Sequence, residues 1–423
     1  MLRRGHRAVH SRAHIGAPFL AALFLVAGCE RPSPTGASPL VIAPEDSLGL
    51  SRDLLANATQ PAGGALPFLT LAEQQAFARG SVVFQTVFTP ATGLGPTFND
   101  VGCAQCHQSP IVGGTGEDIE THATAFHNGT CDDLVAQGGP VIQDSVTPAL
   151  HAALGIVKEP IPPAATGVGR RTTPLVLGFG LLDAIPDAEL LALAEFERRS
   201  PDGVYGRPHT LPNGRVGHFG RKANVATLRE FVAGAFTAEI GVTDPESPLE
   251  ENVGGLAIPL GVEQTPQPEL SQADLEATDA FVTFLSPPRP QPLTLAAERG
   301  LGVFLRIGCA QCHFPVLFTG PNRVPALSDR YVFAFTDLLL HDMGPGLADI
   351  CRINARPADF RTEPLMGLHL KVAAGTALLH DGRALTLDQA ITLHGGEATL
   401  IRDRFLVLSP TEHAALLSFL GAL

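Results

Sequence analysis

Apolar residues recur at helical spacing in several separated stretches, while strict alternation with a period of two is scarce. Leu71–Phe84 and Leu295–Phe304 each read as an amphipathic helix. Each also carries Arg-Gly and then a Phe: Arg79-Gly80 with Phe84, and Arg299-Gly300 with Phe304. Leu181–Arg198, Asn224–Gly234, Gln272–Leu285, Leu387–His394 and Pro410–Leu420 show the same periodicity. Asp388 and Glu412 stand in the first turns of the last two, where a negative charge meets the positive end of the helix dipole. The pattern predicts a mainly α fold.

A second echo pairs Arg171-Thr172-Thr173-Pro174-Leu175 with Arg361-Thr362-Glu363-Pro364-Leu365. Together the two echoes predict two copies of one helical unit, spaced about 200 residues apart. Ser286-Pro287-Pro288-Arg289-Pro290 marks the clearest boundary between them, because Pro cannot continue the preceding helix.

The N-terminus has a different pattern. Residues 1–14 hold Arg3, Arg4, Arg7 and Arg12 and no acid, and an apolar stretch follows from Ile15 to Ala27. That stretch is too short to span a bilayer core of about 30 Å as a helix, so residues 1–28 read as a secretory signal. The small residues of Val26-Ala27-Gly28 directly before Cys29 resemble a lipobox, which makes Cys29 the lipidated N-terminus of a bacterial lipoprotein. Glu30 after it favours the outer membrane in a Gram-negative cell. Residues 29–65, rich in Pro, Ser, Ala and Gly, read as a tether.

Composition narrows the function. The 44 Gly and 36 Pro among 423 residues exclude one long helical rod. Lys and Arg number 29 against 42 Asp and Glu, a formal charge of −13. Removing the four Arg of the signal leaves 25 basic and 42 acidic side chains, a net of −17. Such a chain lacks the basic face that duplex nucleic acid requires, and it would steer a basic partner toward itself.

Seven Cys carry the chemistry. Cys103-Ala104-Gln105-Cys106-His107 and Cys309-Ala310-Gln311-Cys312-His313 are both CxxCH. Two residues between the thiols let both sulfurs reach the vinyl groups of one porphyrin, and the adjacent His then ligates the iron. A redox CxxC needs no His, and a zinc site needs further paired ligands that no nearby spacing supplies. The motifs predict two covalent c-type haems, in two cytochrome c-like domains. The first, residues 66–286, is enlarged by loop-rich insertions; the second is residues 287–423.

These motifs resemble the bacterial di-haem oxidoreductase family, related to the di-haem cytochrome c peroxidases, over roughly residues 68–423. The resemblance also rests on Gly217-His218-Phe219-Gly220-Arg221-Lys222-Ala223-Asn224, on Leu339–Leu347 with its His341-Asp342-Met343-Gly344 core, on Phe360–Leu365, and on His380–Leu387. It implies that an external donor such as a small monohaem cytochrome reduces haem 2, and that hydrogen peroxide is reduced at haem 1. It places the sixth ligand of haem 2 at His394, with Met366 and Met343 as competitors. A His in place of Met would lower the potential of that haem. Glu239, in Ala235-Phe236-Thr237-Ala238-Glu239-Ile240-Gly241, falls where the peroxidases carry a catalytic Glu. His122 and His127 could cap haem 1. His341 and His380 read as turn residues near a haem edge. A calcium ion between the domains stays open.

Arg170, Arg171 and Arg361 read as partners for haem propionates, with plain salt bridges as the alternative. Cys131 and Cys351 remain, either bridged or as two buried thiols. Two other function classes stay in view. One is a non-catalytic electron-transfer lipoprotein with both irons capped; the other is oxygenase or maturation chemistry on an organic substrate.

Overall fold

The computed structural model describes residues 61–423. The signal, Cys29 and the tether as far as residue 60 lie outside the described residues. Residues 61–65 are packed: the Gly64 carbonyl accepts from Ser286, and Ala65 pairs with Leu285.

Local chemistry sets the helix ends. At the start of Leu71–Phe84 the Thr70 hydroxyl accepts from the Glu73 amide while the Glu73 carboxylate accepts from the Thr70 amide. The same reciprocal box, Thr227 with Glu230 and Ser409 with Glu412, opens Leu228–Ala235 and Pro410–Leu420. Ser271 and Thr294 cap Gln272–Phe284 and Leu295–Ile307. The helix expected over Leu181–Arg198 is two, Phe179–Asp183 and Asp187–Glu197. Pro186 stands between them, since its ring fits a helix start and not an interior.

The first echo is a packing device. Leu71–Phe84 packs on Gln272–Phe284, and Leu295–Ile307 packs on Pro410–Leu420. At the first crossing a Cβ on Gly80 would lie 1.8 Å from the Ala277 carbonyl oxygen. At the second, a Cβ on Gly300 would lie 2.0 Å from that of Ala415. Glycine is required at both. One turn on, Phe84 meets Phe281 at 5.0 Å between ring centres, and Phe304 meets Phe419 at 5.4 Å. The second echo is structural too: Gly178 and Gly367 each take a left-handed conformation to start a short helix, Phe179–Asp183 and Leu368–Ala374.

The expectation of a mainly α fold is corrected by the structure. Helix accounts for 34% of the described residues and strand for 13%, so the fold is mixed α/β. The enlarged part of the first region carries a sheet in which Ile119–His127 pairs antiparallel with Thr130–Asp132, Val141–Ile142 and Gly167–Thr172. These strands leave no period-two signal. Ala123, Thr124 and Ala125 are all buried in succession, and Gly-Val-Gly-Arg-Arg-Thr lacks an apolar face. The remaining strands have two or three residues each, below any window in which periodicity can be read.

The main core draws on both sides of Pro287. It includes Phe84, Leu190 and Phe281 together with Phe314, Leu327 and Leu338. A second core holds Phe304, Phe335, Phe405 and Phe419 and takes in Val204. Cys131 and Cys351 form a disulfide across a sequence separation of 220 residues. It ties the Thr130–Asp132 strand to the turn after Asp349. In the chain-entropy account, closing so long a loop contributes up to about 5 kcal/mol. Among the described residues no helix is long and apolar enough to cross a membrane.

Candidate functional site

Both CxxCH motifs fold as a tight turn that brings the His beneath the two thiols. Cys103–Cys106 is one helical turn, and Cys309–Gln311 is a 3₁₀ turn. In both, the His amide donates back to the carbonyl of the first Cys. His107 Nδ1 lies 3.2 Å from the Gly114 carbonyl and His313 Nδ1 lies 3.1 Å from the Phe335 carbonyl. A carbonyl only accepts, so Nδ1 carries the proton and Nε2 keeps its lone pair for a metal. Burial lowers the pKa of both rings, His313 to about 4, which keeps them neutral as ligation requires. Burial also pushes the Cys103 and Cys309 thiols up to about 12. Sulfur is thus held neutral at these positions, which suits a thioether and disfavours a thiolate–metal bond.

The second motif opens on a cavity of about 240 Å³. His394 faces His313 across it with 6.5 Å between ring centres. The His394 Nδ1 donates to the Ala390 carbonyl at 2.7 Å, again leaving Nε2 free. A metal–imidazole bond is about 2 Å, so two rings on opposite sides of one metal stand roughly 6–6.5 Å apart. The pair fits an iron between them. Met343 and Met366 also line the cavity. So do Arg221, Arg361, Lys371 and Arg402, against Glu363 as the one carboxylate. An apolar cavity with this excess of cations fits a macrocycle bearing two carboxylates.

His341, read from sequence as a turn residue, is instead a buried member of a short strand. Its Nε2 is 2.8 Å from Asp337 and its Nδ1 is 2.9 Å from Glu397. This arrangement braces the wall behind Cys312, whose sulfur is 3.6 Å from the same ring.

The first motif meets carboxyl groups. Leu228–Ala235 runs on into a single π-helical turn, Phe236–Ile240, that carries Glu239. Such turns often mark functional positions. The Glu239 carbonyl accepts from the amides of Asn99 and Asp100, just ahead of Cys103, so the π turn and the segment leading into the first CxxCH are fixed together. Asn99 Nδ2 donates to the Glu239 carboxyl at 2.6 Å. Glu120 lies 2.9 Å from His122 Nε2. Burial and then the charge of Glu120 push Glu239 well above the usual carboxylate range. Burial also acts on Glu120, but the hydrogen bond from His122 and the charge of Arg171 hold it below that range. Arg171 sits directly across the strand pair from Glu120.

The model of the family described as "Di-haem oxidoreductase, putative peroxidase" matches residues 164–423. The chain belongs to that family. The match takes in Glu239, Cys309–His313 and His394 and begins after Cys103–His107. No curated protein matches the chain. Among solved structures, a Kuenenia stuttgartiensis hydrazine synthase is similar over 99% of this chain and 100% of its own, at 15% identity and a TM-score of 0.39.

Haem is the cofactor that membership in the di-haem oxidoreductase family implies. Other residues singled out in the sequence fall as follows. Arg361 reaches the second cavity and binds Glu363 at 2.9 Å. Arg171 is paired with Asp349 and Arg170 is exposed. His122 lies within the sheet beside Glu120, and His127 is exposed at the strand end. Sequence reasoning missed Glu120, Asn99, Arg221 and Lys371. Glu120 had one available signal, since Glu120-x-His122 would share a face of a strand.

Proposed function

We propose that this di-haem oxidoreductase reduces hydrogen peroxide with electrons from an external donor. Cys103, Cys106 and His107 would hold haem 1 covalently, and Cys309, Cys312 and His313 would hold haem 2. When bound, the two irons supply the redox chemistry. His394 closes the second site, which makes haem 2 the store that receives electrons, and Arg221, Arg361 and Lys371 neutralise its propionates. At haem 1 the group opposing the chemistry is Glu239, positioned by Asn99 to accept a proton from one peroxide oxygen and return it to the other.

The observation that carries this reading is the contrast between a His facing His313 and a Glu239 bound by Asn99 and Asp100 on the segment that leads into Cys103. The donor would be a small cytochrome with a basic docking face, matched to the acidic chain. The chain would act on the periplasmic side, anchored to the outer membrane through lipid on Cys29. A second reading, a six-coordinate electron carrier, draws support from the buried His122 Nδ1, which has no partner.

EPR of the half-reduced protein with and without peroxide separates the two. The peroxidase reading expects one high-spin ferric signal that peroxide alters, with turnover abolished by Glu239→Gln while both haems remain. Two low-spin haems inert to peroxide would establish the carrier.

A further inference from the structure

A helix ends with carbonyls that its own amides cannot satisfy, so where those carbonyls go shows what holds the end in place. In the π turn that carries Glu239, the Phe236 and Thr237 carbonyls accept from the Val242 and Gly241 amides, which close the turn. The next three are taken by other segments. The Glu239 carbonyl accepts from Asn99 and Asp100, and the Ile240 carbonyl accepts from Gly95. The Ala238 carbonyl accepts from a side chain, Gln143 Nε2, at 3.0 Å. Gln143 is 2% exposed and stands between the short strands Val141–Ile142 and Ser145–Val146.

Its neighbour acts on the carboxyl of the same Glu. The Asp144 amide donates to Asn99 Oδ1 at 3.0 Å, which turns Asn99 Nδ2 toward Glu239, 2.6 Å away. Two adjacent residues therefore hold Glu239 from two directions, Gln143 through the backbone and Asp144 through Asn99. We propose that Gln143 is a positioning residue for the acid–base step, fixing the π turn so that Asn99 can aim the Glu239 carboxyl. This rests on the reading of Glu239 given above.

The contact needs an amide. A carbonyl and a carboxylate only accept, so Gln143 turns its NH2 group toward Ala238 and, at 3.5 Å, toward Glu251. The Gln143 backbone is pinned in turn. Its amide donates to Glu159 Oε2 at 3.2 Å, and its carbonyl accepts from the Glu159 amide at 3.0 Å. An acid–base group works within about 2.6–3.2 Å of the proton it moves, and a misplacement of about 1 Å can cost on the order of 100-fold in rate. A residue that touches only the backbone beside Glu239 can thus set the rate without meeting substrate.

Stopped-flow mixing with peroxide and amide hydrogen exchange test this in the haem-loaded full chain, half-reduced with dithionite. Gln143→Leu keeps the bulk of the side chain and removes the donor. Its second-order rate constant for peroxide should fall about 10- to 100-fold, with both haem spectra unaltered. The Gly95, Asn99 and Asp100 amides should exchange about tenfold faster or more. Gln143→Glu supplies the rescue. The introduced carboxyl faces Glu159 and Glu251, with Arg352 acting on Glu251 and with Glu239 beyond the Ala238 carbonyl. It should keep its proton at neutral pH, donate to Ala238 as the amide does, and lose the contact once it ionises. Near wild-type rates at neutral pH and a fall on the alkaline side that the wild type lacks are expected. A wild-type rate constant in Gln143→Leu overturns the assignment, and so does a Gln143→Glu that is slow at every pH. If Gln143→Leu fails to fold, the alkaline fall in Gln143→Glu decides, and its absence overturns the assignment. A wild-type rate in Glu239→Gln would instead overturn the reading beneath it, while the three amides still show whether Gln143 holds the turn.

Discussion

The two CxxCH regions share a frame and differ in what faces the histidine. In each, a helix crosses its partner at a glycine, with a Phe–Phe contact one turn further on. In each, a backbone carbonyl fixes the His tautomer. Beyond that frame the second region places His394 opposite His313 and lines the cavity with cations. The first places Glu239, Glu120 and Asn99 near its motif. A repeated scaffold thus sets where a haem can sit, and the side chains delivered from other segments set what it can do there.

The comparison breaks most completely at His394. Replacing it with Ala should convert one low-spin haem to high spin and make the second site peroxide-accessible, read by visible and EPR spectra. A spectrum identical to wild type would leave the two regions without the proposed distinction. Smaller, but large for stability, is the effect of Glu159, buried behind the sheet of the first region at 2% exposure. Burial pushes its pKa to about 8 from an ordinary value of 4.5. Below that ordinary value both folded and unfolded chains keep the proton, and the folded state bears no penalty. As pH rises toward 8 only the unfolded chain ionises, so folding loses on the order of 4 kcal/mol. Glu159→Gln should therefore raise the melting temperature at pH 8 and leave it nearly unchanged at pH 4. An equal effect at both values would show that Glu159 is not held neutral.

The smallest effect sharpens the likeness between the regions. Gly80→Ala and Gly300→Ala each force a methyl into a carbonyl oxygen across a helix crossing. Each should cost about 1–3 kcal/mol, by similar amounts, in denaturant unfolding. A cost at one crossing only would mean that the two helix pairs are not equivalent packings.

Helices were legible wherever a cap stood next to a periodic run, as with Thr70 and Glu73 or Ser409 and Glu412. The break at Pro186 was also available, since the ring forbids a helix interior. The sheet was not legible: three small residues buried in succession within Ile119–His127 carry no alternation. At the sites, each CxxCH follows from five neighbouring positions, because both thiols and the histidine lie on one turn. Asn99 escaped notice because its partner Glu239 lies far along the chain, and each is an ordinary polar residue until a π turn brings them together.

By itself the sequence determined the two CxxCH turns, the duplicated helix frame and the helix caps, all of which depend on residues within a few turns of one another. Tertiary structure alone decided that Cys131 bonds Cys351, that His394 faces His313, and that Asn99 binds the Glu239 carboxyl. Those pairings join segments whose proximity is set by the packing of the whole core, and no local interaction specifies them.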